Sequence, residues 1–111
     1  LYDAKGHRLV LVLAQDLRAM AAGGNSALQP AALSLLYVAD YSRMNTGLHA
    51  KKIAYSAAHA GFIGQNVYLF CTSEGLATVF RDGMDRPAIR AALKLTDDQE
   101  AVFVQTVGYP E

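Results

Sequence analysis

The chain has 111 residues, which is enough for one domain at most. Its ten basic and ten acidic side chains cancel, so the protein lacks the basic field that attracts phosphate backbones, and we do not expect nucleic acid as a partner. Hydrophobic residues make up 52% and charged residues 18%, which excludes a disordered chain and suffices for a packed core.

The N-terminus is the first unusual feature in chain order. It lacks an initiator methionine and runs almost at once into an apolar segment, whereas natural N-termini are more often polar and loosely held. We therefore interpret residues 1–111 as a single domain that is the C-terminal portion of a longer one. A strand rich in Leu and Val is predicted over residues 8–14, buried on both faces. Residues 15–23 predict a short helix with Asp16 as its N-cap.

The middle of the chain predicts a second buried strand over residues 31–41 and then a long helix over residues 49–73. Apolar side chains lie almost all around this helix, so we expect it to be buried on all sides, although one chain of this size has little material to cover it. A partner is therefore expected, either a missing N-terminal part or a second subunit. The 21 uncharged residues between Lys52 and Glu74 could span a bilayer. Polar side chains in their middle favour a helix in a protein core, with no membrane partner.

The rest of the chain alternates strand and helix. Gly75 has the position of a residue that ends the long helix, and a short strand follows over residues 77–80. An amphipathic helix is predicted over residues 85–95, with Asp85 as its cap, and a last strand over residues 100–110. This order of elements predicts an α+β or α/β sandwich, with helices on a sheet.

Cysteine and histidine provide little chemistry. Cys71 is the only cysteine, so we expect a small buried apolar side chain and no disulfide. The three histidines lack metal-binding spacing, so no metal is expected. His59 is predicted to be buried in the helix, with its hydrogen bond satisfied. The composition fits a reducing compartment, and we expect a cytoplasmic protein, unless an N-terminal signal was lost with a missing segment.

One segment, "AGFIGQNVYLFCTSEGLATVFRDG" at residues 60–83, resembles the FMN-dependent nitroreductase superfamily. The shared pattern is a long Ala/Gly-rich helix with GxxxQNxYL, a Gly-Leu stop, a short strand and an acid–Gly turn. A short helix and a strand ending in VGYP complete it. The small nitroreductases and the thiazoline-oxidase-like dehydrogenases are the most similar branches. The resemblance implies part of a nitroreductase-like α-β sandwich, whose long buried helix lies at a dimer interface.

The resemblance also implies a function. Members of the family are bacterial homodimers that bind FMN at the subunit interface and pass hydride from NAD(P)H, or from an organic substrate, to a small organic acceptor. In them, a backbone N–H at the position of Asp82 or Gly83 meets the redox-active ring nitrogen. Phe80 could cover one ring face, and Arg81 could favour the anionic reduced flavin or be solvent-exposed. Thr78 and Gln65 are further candidates for cofactor binding, and Lys52 and Tyr55 are candidates for catalysis.

The sequence departs from the family in one respect. The arginine-rich RRSxR-type segment that holds the FMN phosphate has no match in residues 1–111. Another polypeptide or an N-terminal segment could supply it. The alternative function is a flavin-free dimerisation or binding module with the same fold, and an unrelated α/β ligand-binding domain is a third.

Overall fold

The computed structural model describes residues 1–110 and is built around a three-stranded antiparallel sheet. Its strand order is β3–β5–β4, so the C-terminal strand lies in the centre. The strands are β3 (Leu33–Asp40), β4 (Ala77–Arg81) and β5 (Gln99–Gly108). The apolar and β-branched side chains of β5 suit this central position, and Val104 is fully buried. The predicted α+β fold class is confirmed.

A bulge interrupts the pairing of β3 with β5. Tyr37 lies opposite Phe103, whereas its neighbour Val38 lies opposite Ala101, so Val102 is an additional residue in β5. Such a residue leaves the ladder, bends the strand and increases the local twist. The bulge lies close to the turn that follows β4, because Arg86 donates both to the Val102 carbonyl and to the Asp82 carboxylate.

Helix α2 (His49–Ser73) covers one face of the sheet and has the predicted boundaries. Its buried residues are small, so the helix backbone lies close to the strands; they are Ser56, Ala60, Gly64 and Cys71. The helix ends as the sequence predicts, at Gly75, with φ +67°. The N–H of Leu76 donates to the carbonyl of Cys71 over 2.8 Å, which is the long bond of a Schellman motif.

The outer face of α2 is apolar and exposed. Phe62 is 69% exposed, Leu69 61% and Phe70 60%. The sheet covers one face of α2 only, and burial of its other faces stays a prediction that depends on the expected partner. His59, predicted to be buried, is exposed in this chain and stacks on Tyr55, with 6.4 Å between ring centroids. Within residues 1–110, no helix combines the length and apolarity that crossing a membrane requires.

The opposite face of the sheet carries two short helices, α1 (Arg18–Ala22) and α3 (Arg86–Leu93). The predicted cap of α3 is confirmed, because the Asp85 side chain accepts a hydrogen bond from the N–H of Ala88 over 3.0 Å. Ile89, 1% exposed, is the buried residue of α3.

The N-terminal region differs from its prediction. The strand expected over residues 8–14 is reduced to β2 (Arg8–Leu9), which pairs with β1 (Tyr2–Asp3) in a hairpin outside the main sheet. Leu11 is 79% exposed, so the segment is not buried on both faces. Its apolar pattern lacks a partner strand within residues 1–110. Asp16 lies one residue before the N-cap of α1, and its carboxylate binds the backbone N–H and the guanidinium of Arg18.

Candidate functional site

The turn between β4 and α3, residues 82–85, has unoccupied backbone donors. Asp82 and Gly83 are exposed, and within residues 1–110 no hydrogen bond uses either of their N–H groups. A Cβ added to Gly83 would meet only an Arg81 nitrogen, at 3.9 Å. The turn therefore has two free donors and open space beside them, an arrangement that suits close approach of a flat acceptor.

The side chain of Arg81 points toward the protein interior and hydrogen-bonds to the turn on the side opposite its free donors. Its guanidinium donates to the carbonyl of Gly83, to the carbonyl of Ala21 over 2.5 Å and to the hydroxyl of Thr106 over 3.2 Å. Burial lowers the pKa of Arg81, because the charged form loses hydration. Arg81 thus ties the turn to α1 and to β5, and the expectation that it is solvent-exposed does not hold.

A second arginine holds the side chain of Asp82. Arg86, the first residue of α3, donates to the carbonyls of Ala101 and Val102, over 3.1 and 3.0 Å, and to the Asp82 carboxylate. The guanidinium fork therefore joins the bulge in β5 to the turn. One oxygen of the Asp82 carboxylate is thus engaged by Arg86, whereas the backbone N–H of Asp82 has no partner within residues 1–110.

The C-terminal end of α1 supports the turn through a close backbone contact. Gly23 has φ +59°, and a Cβ at this position would lie 2.9 Å from the carbonyl carbon and oxygen of Gly83. Only glycine allows this approach without a shift. The turn is thus held by two arginines and one glycine, from three different elements.

Phe80 links the turn to helix α2. Its ring packs against Tyr37 and Phe103, with centroid distances of 5.4 and 4.9 Å, and lies beneath Gly64. A Cβ on Gly64 would come within 2.6 Å of the ring. The Phe80 N–H donates to the hydroxyl of Tyr68 over 2.7 Å. Phe80 is half-buried, and its ring occupies the space between the sheet and the helix.

A buried amide lies beside this ring. Gln105 is fully buried; its Nε2 donates to the carbonyl of Gly64 over 3.2 Å, and its Oε1 accepts from the Tyr37 hydroxyl over 2.7 Å. Burial raises the pKa of Tyr37, which keeps this hydroxyl protonated as a donor. The three groups form a satisfied network that joins strands β3 and β5 to the helix.

The structure brings together most of the predicted cofactor-binding residues. Thr78, Phe80, Arg81, Asp82 and Gly83 follow one another along β4 and its turn, and Thr78 Oγ1 donates to the carbonyl of Thr106 over 2.8 Å. Gln65 is exposed on α2 and adjoins Gly64, which contacts Phe80.

The two candidate catalytic residues lie elsewhere. Lys52 Nζ donates to the carbonyl of Tyr41 over 2.7 Å, and Tyr55 is 51% exposed. At 1.5 Å per residue, Lys52 is about 18 Å from Gly64 along the helix axis. Their catalytic roles stay predictions, and within residues 1–110 no hydrogen bond joins either side chain to the turn.

Sequence reasoning missed four residues that shape the site: Gly64 as a contact of Phe80, Tyr68, Arg86 and Gln105. One signal was present for Gly64 and Tyr68, since residues four apart lie on one helix face. Gly64 leaves the space that the Phe80 ring occupies. The partners of Gln105 lie 41 and 68 residues away along the chain, so no local pattern could indicate them.

Comparison with known proteins identifies the family. The model of the nitroreductase family matches residues 2–109, and this chain belongs to that family. A solved structure of a candidate nitroreductase from Ralstonia eutropha JMP134 is 35% identical in sequence, with a TM-score of 0.88. The match covers 99% of this chain and 52% of that one, so this chain spans about half the length of its relative. No curated protein matches the sequence.

Proposed function

We propose that this chain forms part of an FMN-dependent oxidoreductase, in which the turn at Asp82 and Gly83 contacts the flavin. The observation that carries the proposal is the pair of free backbone N–H groups in a turn that three elements hold in place. A backbone N–H is a fixed donor that no change of protonation removes, which suits a group whose own charge changes during its reaction. Membership of the nitroreductase family supports this assignment.

The chemistry of the residues fits this cofactor. FMN, when bound, supplies the hydride chemistry, with NAD(P)H or an organic substrate as donor and a small organic molecule as acceptor. The turn donates hydrogen bonds at the ring edge, and Gly83 leaves room for the ring. Arg81 places a positive charge directly behind these donors, which favours a negatively charged ligand at the turn. Thr78 and Gln65 remain candidate contacts.

The cofactor phosphate requires residues outside this set. We propose that they come from a segment or subunit that also covers the outer face of α2, and that the assembled enzyme is a homodimer. The exposed Phe62, Leu69 and Phe70 support this, because large apolar side chains clustered on one helix mark an interaction surface.

Flavin binding by the intact natural protein tests the proposal. FMN is titrated into the protein, and its fluorescence and visible absorption are followed at equilibrium. We expect a saturable change in flavin fluorescence and a shifted visible spectrum. Absence of binding in excess FMN would overturn the proposal. A stable flavin-free dimer in light scattering would then favour the alternative, a dimerisation or binding module with the same fold.

A further inference from the structure

Tyr68 makes a contact that the flavin assignment does not include. It lies one helical turn after Gly64 on α2, and its hydroxyl accepts the Phe80 N–H over 2.7 Å. Strand β4 is at the edge of the sheet within residues 1–110, paired with β5 alone. Because an N–H points in one direction, the Phe80 amide faces away from β5 and would have no protein partner without Tyr68.

We propose that Tyr68 is a positioning residue for the ligand-binding turn: its hydroxyl fixes the end of β4, and thereby the N–H groups of Asp82 and Gly83. The inference rests on the proposed function for the identity of the ligand. The positioning itself rests on the geometry of this chain.

Two observations explain why this bond decides the position of the turn. Strand β4 has only five residues, and Arg81, the last of them, begins the braced turn. An edge strand held from one side frays at its end, because its outer backbone groups exchange with water. Helix α2 has 25 residues and is anchored on the sheet at Gly64 through Gln105. The Tyr68 hydroxyl thus ties a short edge strand to a long helix that is anchored on the sheet.

Helix α2 thus holds strand β4 on one side and presents an exposed apolar face on the other. Tyr68 is half-buried toward β4, and the next residue, Leu69, is 61% exposed on the outer face. A partner that docks on the outer face therefore contacts the same helical turn that holds Phe80. Covering α2 is then expected to restrict the ligand-binding turn as well, through the rigid helix.

The test removes only the hydroxyl, in Tyr68→Phe of the intact protein, with Tyr109→Phe as the matched control, because Tyr109 is 82% exposed. Amide hydrogen exchange is measured by NMR without flavin, and FMN binding by fluorescence. We expect the Phe80 amide to exchange about tenfold faster, the amide chemical shifts of Asp82 and Gly83 to change, and FMN binding to weaken about fivefold, as for one lost hydrogen bond. The spectrum of bound FMN should shift, while the β5 amides and the melting temperature stay close to the wild type.

Each other outcome counts against the proposal. Unchanged exchange at Phe80, with unchanged amide chemical shifts at Asp82 and Gly83, shows that Tyr68 does not hold the turn. Equal acceleration across β5 with a lower melting temperature shows a role in folding only, and Tyr68→Leu, which also removes the ring, provides the reference for that behaviour. If the wild type does not bind FMN, the proposed function fails, whereas the exchange data still decide whether Tyr68 positions the turn.

Discussion

The side-chain amide of Gln105 donates to the backbone carbonyl of Gly64, over 3.2 Å, in the interior of the protein. A carbonyl in the middle of a helix already accepts the bond of the helix itself, so Gln105 uses its second lone pair. Because Gln105 also accepts from Tyr37, one side chain joins the central strand, an edge strand and the long helix. The position of α2 on the sheet is thus specified by polar contacts as well as by packing.

Replacement of this amide is the first test. We expect Gln105→Leu to lower the free energy of unfolding by about 1–3 kcal/mol, because the half-buried Tyr37 hydroxyl loses its acceptor and the Gly64 carbonyl loses a donor. Urea denaturation measures the loss. In the Tyr37→Phe background, the same change should cost less, since that donor is already gone. Equal costs in both backgrounds would contradict the network.

The clearance between Gly64 and Phe80 gives the second prediction. Gly64→Ala places a Cβ within 2.6 Å of the ring and should destabilise the protein by about 1–3 kcal/mol. Gly61→Ala is the control, because its Cβ meets nothing within 4 Å and alanine favours a helix by about 1 kcal/mol. Phe80→Leu should recover part of the loss from Gly64→Ala. Thermal or urea unfolding that ranks the two alanine variants alike would exclude the contact.

Alanine substitutions at Gly23 and Gly24 distinguish the cost of backbone strain from the cost of a steric contact. Both have positive φ, +59° and +85°, so alanine at either position is strained by roughly 1–2 kcal/mol. Only a Cβ at position 23 would overlap the backbone of Gly83. We therefore expect Gly23→Ala to be the more destabilising and to change the amide chemical shifts of Gly83. Equal losses of stability, with no shift changes in the turn, would mean that strain alone matters.

Gly83→Val tests the ligand rather than the fold. A Cβ at this position has open space, with its nearest contact at 3.9 Å, so the melting temperature should change by only a few degrees. We expect FMN binding to weaken about tenfold or more, because the branched side chain occupies the space proposed for the ring. Equilibrium titration and thermal unfolding are compared for the same samples. Parallel loss of binding and stability would identify a structural turn instead.

Tyr41 makes the free energy of unfolding depend on pH in the alkaline range. Burial first, and then its 2.7 Å hydrogen bond to Glu100, raise the pKa of Tyr41 from 10.0 to about 12. The unfolded chain therefore loses this proton first as pH rises. The contribution of Tyr41 is fully present below pH 10 and is lost as pH rises toward 12. The difference in unfolding free energy between wild type and Tyr41→Phe should shrink over that range, and a constant difference would contradict the assignment.

The sequence predicts the elements that have local signals. Helix α2 is long and carries its stop at Gly75, and α3 has Asp85 as a cap, so both were located closely. The strand expected over residues 8–14 shows the limit of such patterns. An apolar run indicates a segment suited to burial, but the strand forms only if another segment supplies the hydrogen bonds, and sequence alone does not identify that segment.

In the candidate site, too, some residues could be identified from the sequence and others could not. The turn at Asp82 and Gly83 was identified by its resemblance to a family, and its free donors agree with that choice. The inward direction of Arg81 could not be predicted, because the carbonyl that it binds belongs to Ala21, 60 residues earlier. Tyr68 carries no local signal of its bond to Phe80 beyond its spacing from Gly64.

The additional residue in β5, Val102, changes which side chains of this strand face each side of the sheet. Side chains alternate between the two faces, so one inserted residue exchanges odd and even positions on its two sides. Deleting Val102 would restore an unbroken ladder in which Ala101 still lies opposite Val38, so residues 99–101 would keep the faces of their partners in β3. It would also remove one of the two carbonyls that Arg86 holds, and with it part of the link to Asp82. A single additional residue thus changes whether odd- or even-numbered side chains of β5 face a given side of the sheet, while the pairing with β3 continues on both sides of it.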